Sequence, residues 1–246
     1  MKHPSPKTGG MIATKRSIRG FTLLELLISL LILAVVSGAV FEQINRMQKK
    51  SSSEAMKLDQ SQQAREFIDQ TVRDLHMAGY PGPSMYSNPL AHPYRVAAGL
   101  VSVSPTQILL EGDVNNDGKV YSVNISYVAN DPNDPTCPCI RRSAIEKIDA
   151  DSFSQPTTPN YTETNHVLPP GTGSGQSGED LFAYYDQNGN QVTDVGSGVD
   201  IQSPFGKSII AEIKTVKINL SLLTQRDTES NGFTRTFMSA TSRLNY

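Results

Sequence analysis

The hydrophobic and polar positions of this chain fall into three regimes. From Phe21 to Phe41 the residues are almost all apolar, and Leu26 to Phe41 carries no charge. About twenty such residues in a helix are enough to cross a hydrocarbon core of roughly 30 Å. From Glu42 to Ala78 the chain turns polar without meeting a proline or glycine, and helix formers such as Gln, Lys, Ala, Met, Glu and Arg dominate. Leu58, Ala64, Phe67, Ile68, Val72 and Leu75 recur there at helical spacing, which predicts a buried stripe. Lys49 to Glu54 is polar all round and predicts a solvated or frayed stretch. Gly79, Pro81 and Pro83 then stop the helix.

From Tyr86 onward the period shifts to that of strands. Gln107–Leu110 reads as a short apolar strand. Tyr121, Val123, Ile125 and Tyr127 alternate with Ser122, Asn124 and Ser126, as a half-buried strand does. The Asp113–Gly118 stretch between them ends in Asp-Gly, a hairpin signal. Leu181–Tyr185 forms another strand, turned by Asp186–Gly189, and Val216, Ile218, Leu220 and Leu222 alternate with Lys217, Asn219 and Ser221. A closing strand is expected over Phe233–Leu244. Asp131–Pro138 reads as a proline-rich loop, and Asp149–Asp180, mostly Thr, Pro, Gly, Ser and Asn, as a long loop. The expected fold class is therefore α+β, a long N-terminal helix packed on an antiparallel sheet.

Within the apolar run the single charge is Glu25, close to one end. An unpaired carboxylate near a bilayer centre costs about 2.5–3.5 kcal/mol, so its presence implies a partner. Arg19-Gly20-Phe21-Thr22-Leu23-Leu24-Glu25, behind a short basic leader, resembles the processing site of type IV prepilins and of type II secretion pseudopilins. That resemblance implies a membrane-bound prepilin peptidase that cuts after Gly20 and N-methylates Phe21. It further implies that Glu25 pairs with the N-terminal ammonium of a neighbouring subunit during assembly.

Elementary physics supports the same arrangement. Gly20 lets an extended backbone enter a protease cleft with no side chain in the way. Cleavage leaves a positive amine at the membrane edge, where a low dielectric strengthens its attraction to a carboxylate. The two charges satisfy each other only when subunits are in register, so the pair acts as an assembly ruler. The plainer alternative is an uncleaved signal anchor whose Glu25 snorkels to the interface.

Two further stretches sharpen the resemblance. Val72-Arg73-Asp74-Leu75-His76-Met77-Ala78-Gly79-Tyr80 is similar to the helix-ending segment of PilW-type minor pilins, and is also what an ordinary glycine C-cap looks like. Tyr184-Tyr185-Asp186-x-Asn188-Gly189 is similar to the later strands of the PilW and type II pseudopilin J groups. The implied organisation is a cytoplasmic leader over 1–20 and a transmembrane and polymer-core helix over 21–41. A periplasmic continuation follows over 42–79, and a β-rich periplasmic domain with long loops over 80–246. The implied role is a minor type IV pilin in initiation or tip assembly, with a J-type minor pseudopilin of type II secretion as the alternative. Implied partners are the prepilin peptidase, other major and minor pilins or pseudopilins, and an inner-membrane assembly platform.

Charge fits that orientation. The first 20 residues hold Lys2, Lys7, Lys15, Arg16 and Arg19 and no acid, against a net charge of −2 for the whole chain, so the remainder is acidic. Basic residues on the leader side match the positive-inside rule, and an acidic remainder argues against nucleic-acid binding through a basic surface. Ser37-Gly38-Ala39, the nearest small-residue candidate for a secretory cleavage site, lies inside the apolar run rather than after it.

Candidate chemistry elsewhere is sparse. Cys137 and Cys139 bracket Pro138, so a bridge between them would be tight and strained; two free thiols are the other reading. Zinc usually takes four ligands, and no second Cys/His pair has the spacing for it. The absence of a cysteine after Cys139 departs from the C-terminal disulfide loop of many major pilins and favours a minor subunit. Asp113, Asn115, Asp117 and Gly118 fit the first half of a calcium loop, but the twelfth position, where a bidentate acid belongs, is Asn124. Calcium is thus the one cofactor the sequence suggests, set against a plain polar hairpin turn. Gly173-x-Gly175-x-x-Gly178 precedes a strand, the reverse of a dinucleotide-binding context. His3, His76, His92 and His166 are scattered, and no catalytic constellation assembles, so no enzyme activity is expected. A signal-anchored periplasmic binding or adhesive domain is the rival from another class.

Overall fold

The computed structural model describes residues 20–135, 137–155, 161–169, 180–225 and 233–245. The leader through Arg19, the glycine-rich stretch Gly173–Gly178 and much of the anticipated Asp149–Asp180 loop lie outside them. The chain divides into two compact units, residues 1–48 and 49–246.

Helix α1 runs unbroken over Leu23–Met77. Its first-unit portion has no buried residue. In the second unit the polar stretch Lys49–Glu54 stays helical rather than fraying. The buried stripe begins later than expected: Ala64, Phe67, Ile68, Thr71, Asp74 and Leu75 are buried, whereas Leu58 is 73% exposed. Gly79 ends the helix in the left-handed conformation, φ 79°, which a glycine adopts without steric cost.

The second unit holds two antiparallel sheets. The larger one comprises β1 (Gly99–Val103), β2 (Gln107–Gly112), β3 (Tyr121–Val128), β4 (Cys139–Glu146), β5 (Tyr161–Asn165) and the short β7 (Val199–Asp200), in the order β5-β4-β3-β2-β1-β7. The smaller one orders β6 (Phe182–Tyr185), β8 (Thr215–Gln225) and β9 (Phe233–Arg243) as β6-β8-β9. Along β8 and β9 the pairing holds from Thr215↔Arg243 to Gln225↔Phe233 with no bulge. A short helix α2 (Pro204–Glu212) is capped by Ser203, whose Oγ accepts the Gly206 N–H at 2.9 Å.

One core joins these parts. Phe67, Ile68, Leu75 and Ala78 of the helical segment cluster with Ile108, Leu110, Val123, Ile125 and Ile140 of the larger sheet and with Val216, Ile218 and Leu220 of the smaller. Each of these side chains larger than Ala78 contributes about 1.5–3 kcal/mol relative to remaining in water. Val123 and Ile125 of β3 and Val216, Ile218, Leu220 and Leu222 of β8 face the core, as period two predicts. Ser122, Asn124 and Asn219 at the intervening positions are buried as well, so β3 is not the half-buried strand its alternation suggests.

The strands read from alternation stand where expected, as do the Asp113–Gly118 hairpin between β2 and β3 and the turn after β6. Three corrections apply. The expected Asp149–Asp180 loop contains a strand, β5, paired to β4 from Cys139↔Asn165 to Arg142↔Tyr161. β4 begins directly after the proline-rich loop, although its sequence shows little alternation. β1, the short β7 and α2 lie outside the elements that alternation predicts.

Charged groups fasten the layers. Glu111, fully buried on β2, accepts Lys147 Nζ at 2.6 Å and the Ala98 N–H at 2.9 Å, and Lys147 also donates to the Val96 carbonyl at 3.1 Å. Where α1 ends, the Gly79 N–H donates to the Glu111 carbonyl at 2.9 Å and the Asp113 N–H to the Tyr80 carbonyl at 2.8 Å.

Candidate functional site

The Gly20–Glu25 stretch forms the entrance to α1. Gly20 and Phe21 precede the helix, and a side chain at Gly20 would meet no atom within 4 Å. Thr22 caps it: its Oγ1 accepts the Glu25 N–H at 3.3 Å, and its carbonyl accepts the Leu26 N–H at 3.2 Å. Thr-x-x-Glu is capping-box spacing, so Glu25 sits in the first turn, where the helix dipole favours a carboxylate. Reading Thr22 only as part of the apolar run missed this cap, although the spacing stands in the sequence.

Behind the cap the apolar surface is bare. Phe21 is 76% exposed and Leu24 70%, and Leu26, Leu27, Ile28, Leu30, Leu31 and Phe41 are exposed as well. The most apolar stretch of the helix has a mean hydropathy of 2.6, and none of it is buried within the protein. An apolar face this continuous does not persist in water; it marks a membrane or partner surface. The helix is long and apolar enough to cross a membrane.

The hairpin residues that fit a calcium loop are brought together, but their oxygens are engaged within the loop. Asp113, nearly fully buried, accepts the Asp117 N–H at 3.0 Å and the Gly118 N–H at 2.9 Å on its two oxygens. Asp117 accepts the Tyr121 hydroxyl at 2.7 Å and the Lys119 N–H at 3.0 Å. The Tyr121 bond holds the exposed Asp117 carboxyl below its ordinary value. Asn115 hydrogen-bonds Tyr121 as well. These bonds shape a tight turn with Asn116 and Gly118 at positive φ, and a cation would have to displace them.

His76 is exposed near the helix end, His92 meets Tyr94 edge-on at 5.9 Å, and His166 lies at the end of β5. Among the described residues the one trio able to surround a metal is Asp134, Cys137 and Cys139, and there the two sulfurs are joined as a disulfide. Of the two readings left open for these cysteines, the structure has the bridge.

Residues 15–41 match the family model described as the prokaryotic N-terminal methylation motif. No curated protein and no solved structure matches the chain. The motif and the exposed apolar helix fit membrane anchoring. Taken with a helix whose later turns pack against antiparallel sheets, the methylation motif supports a prepilin-like type IV pilin or pseudopilin, processed by prepilin peptidase and assembled with other pilins.

Proposed function

We propose that this chain is a minor type IV pilin of the PilW kind, acting in initiation or tip assembly of the filament. The observation that carries the reading is Gly20-Phe21 set immediately ahead of a capped, exposed apolar helix with Glu25 in its first turn. Removal of residues 1–20 makes Phe21 the N-terminus, and its methylated ammonium then lies close in sequence to the Glu25 carboxylate. Residues 21–41 anchor the subunit in the inner membrane with the basic leader on the cytoplasmic side. The remainder of α1 and the β-rich domain lie in the periplasm. In the filament, Glu25 of one subunit meets the ammonium of the next, in a setting where two unpaired charges would each be costly. A cysteine pair confined to Cys137 and Cys139 supports a minor rather than a fibre-building subunit. The Tyr184–Gly189 stretch, a strand and its Asp186-centred turn, also favours a J-type minor pseudopilin of type II secretion as the second reading.

The test is the intact mass of the protein extracted from membranes of cells with and without prepilin peptidase. Loss of residues 1–20 with one added methyl group, only where the peptidase is present, is the expected result. An uncleaved chain, or a cut beyond Phe41, would instead make it an anchored or released periplasmic domain.

A further inference from the structure

We propose that the Cys137–Cys139 disulfide is a thiol–disulfide exchange site that takes dithiols as its reducing partner, with Cys137 as the sulfur attacked. A bridge between residues two apart in sequence removes little loop entropy from the unfolded chain. The surrounding structure is also fixed without it. Cys139 is paired through β4 with Val128 on one side and Asn165 on the other. The Pro138 carbonyl accepts the Val167 N–H at 2.9 Å. Upstream, Arg141 holds Asp131 at 2.6 Å and Asp134 at 3.3 Å, and Thr162 donates to Asp134 at 3.2 Å. A crosslink with so little left to hold has another use.

The two sulfurs are unequal, and that sets the direction of the chemistry. Cys139 is fully buried, whereas Cys137 is half-buried at the mouth of the loop. The Asp134 carboxylate lies 3.9 Å from Cys137 Sγ, but the Arg141 guanidinium offsets its charge, so an incoming thiolate does not face a bare anion. The thiolate of the dithiol bonds to Cys137 Sγ as the Cys137–Cys139 bond breaks, and Cys139 leaves as a thiolate that takes a proton from solvent. The second thiol of the partner, deprotonated, then attacks its own sulfur in the mixed disulfide. Cys137 leaves and is protonated, the partner ends as a disulfide, and this protein has gained two electrons and two protons. Bridges with an accessible sulfur are the ones open to such exchange, and Cys137 is the accessible one here.

The experiment uses the full chain in detergent, dithiothreitol as the dithiol, and iodoacetamide labelling read by peptide mass. The expected result is that both cysteines become labelled without denaturant and with an unchanged circular dichroism spectrum. Cys137 should label at least about tenfold faster than Cys139, following accessibility. A Cys139→Ser variant should form a mixed disulfide with oxidised glutathione at Cys137. Cys139 in a Cys137→Ser variant should label at least about tenfold more slowly than Cys137 does in Cys139→Ser. A bridge that opens only on unfolding, a reduction that abolishes the sheet signal, or equal labelling of the two sulfurs would each overturn the proposal. The wild-type labelling stands by itself if either serine variant fails to fold.

Discussion

Arg142 grips Asp74 with two hydrogen bonds, Nε to Oδ2 at 2.8 Å and Nη2 to Oδ1 at 3.2 Å, and thereby fastens the last turns of α1 to β4. Gln70 adds a third bond to Oδ1 at 2.8 Å from one turn earlier on the helix. The Asp74 side chain is fully buried and that of Arg142 is partly buried, 15% exposed. Removing one partner of such a pair leaves an uncompensated charge away from water. Asp74→Ala is therefore expected to destabilise the domain by about 3 kcal/mol, read as a lower urea midpoint by circular dichroism. A midpoint within error of wild type would mean the pair does not hold the helix to the sheet.

Glu163, on β5 beside the same guanidinium, supplies a pH test. Burial pushes its carboxyl above the ordinary 4.5, with the Asp74 charge adding to the rise and Arg142 opposing it. Burial likewise raises Asp74 from 3.8 against the pull of Arg142. A carboxyl whose folded value is raised keeps its proton longer in the folded state. Its contribution to stability is thus greatest at low pH and declines as pH rises through and above the unfolded value. Glu163→Gln mimics the protonated form, so the variant should gain on wild type as pH rises from 4 toward 7. Parallel stability curves for the two proteins across that interval would contradict the assignment.

Gly112 sits where the chain leaving α1 bridges to the end of β2, at Ala78↔Gly112. A Cβ at this position would run into the Met77 carbonyl, a backbone atom that cannot rotate aside. Gly112→Ala should cost about 1–3 kcal/mol, as overpacking does, and should be felt as a lower melting temperature of the β-rich domain. Gly112 is not among the positive-φ glycines, so a melting temperature within error of wild type would mean that the Met77 carbonyl gives way to the added methyl.

The cap at the start of α1 lets helix starting be told apart from the ion pairing proposed for Glu25. The Glu25 N–H bonds to Thr22 whatever the side chain is, and a glutamine at this position of a capping box is also a good helix starter. Glu25→Gln therefore removes charge while sparing local structure. The variant should be cleaved and methylated like wild type yet be missing from sheared filaments, as should Glu25→Ala. Incorporation of the glutamine but not the alanine variant would make helix capping, not ion pairing, the function of this residue.

Long-range periodicity made much of this fold legible. The helix over Leu23–Met77, its glycine stop, the β2–β3 hairpin and the strands β6, β8 and β9 all announce themselves as runs of one period closed by turn residues. β4 hides because Arg141 and Arg142 look like surface residues until Asp131, Asp134 and Asp74, far away in sequence for the last of these, neutralise them. β5 hides for the opposite reason: Tyr161–Asn165 is nearly all polar, and only the ladder with β4 makes it a strand. Leu58 misled because helical spacing says which residues share a face, not how far along the helix a neighbour waits. At the N-terminal motif the end of the basic leader, Gly20, Phe21 and Glu25 lie within the residues 15–41 that the methylation-motif model matches, while the Thr22 cap hides beneath the hydropathy signal.

The fastening of α1 to the sheet has a mechanical side. Tension drawn along the helix into the domain would pass through the Asp74–Arg142 fork and then, one turn later, through the Gly79–Glu111 and Tyr80–Asp113 backbone bonds. These anchor points fall on β4 and β2, the two strands flanking β3. Within the larger sheet, a pull on the helix is therefore shared between neighbours of a central strand rather than delivered to an edge. A further bond, from Asn245 Nδ2 to the His76 carbonyl at 2.8 Å, ties the helix to the chain just beyond β9. Neither edge strand, β5 nor β7, takes the strain first.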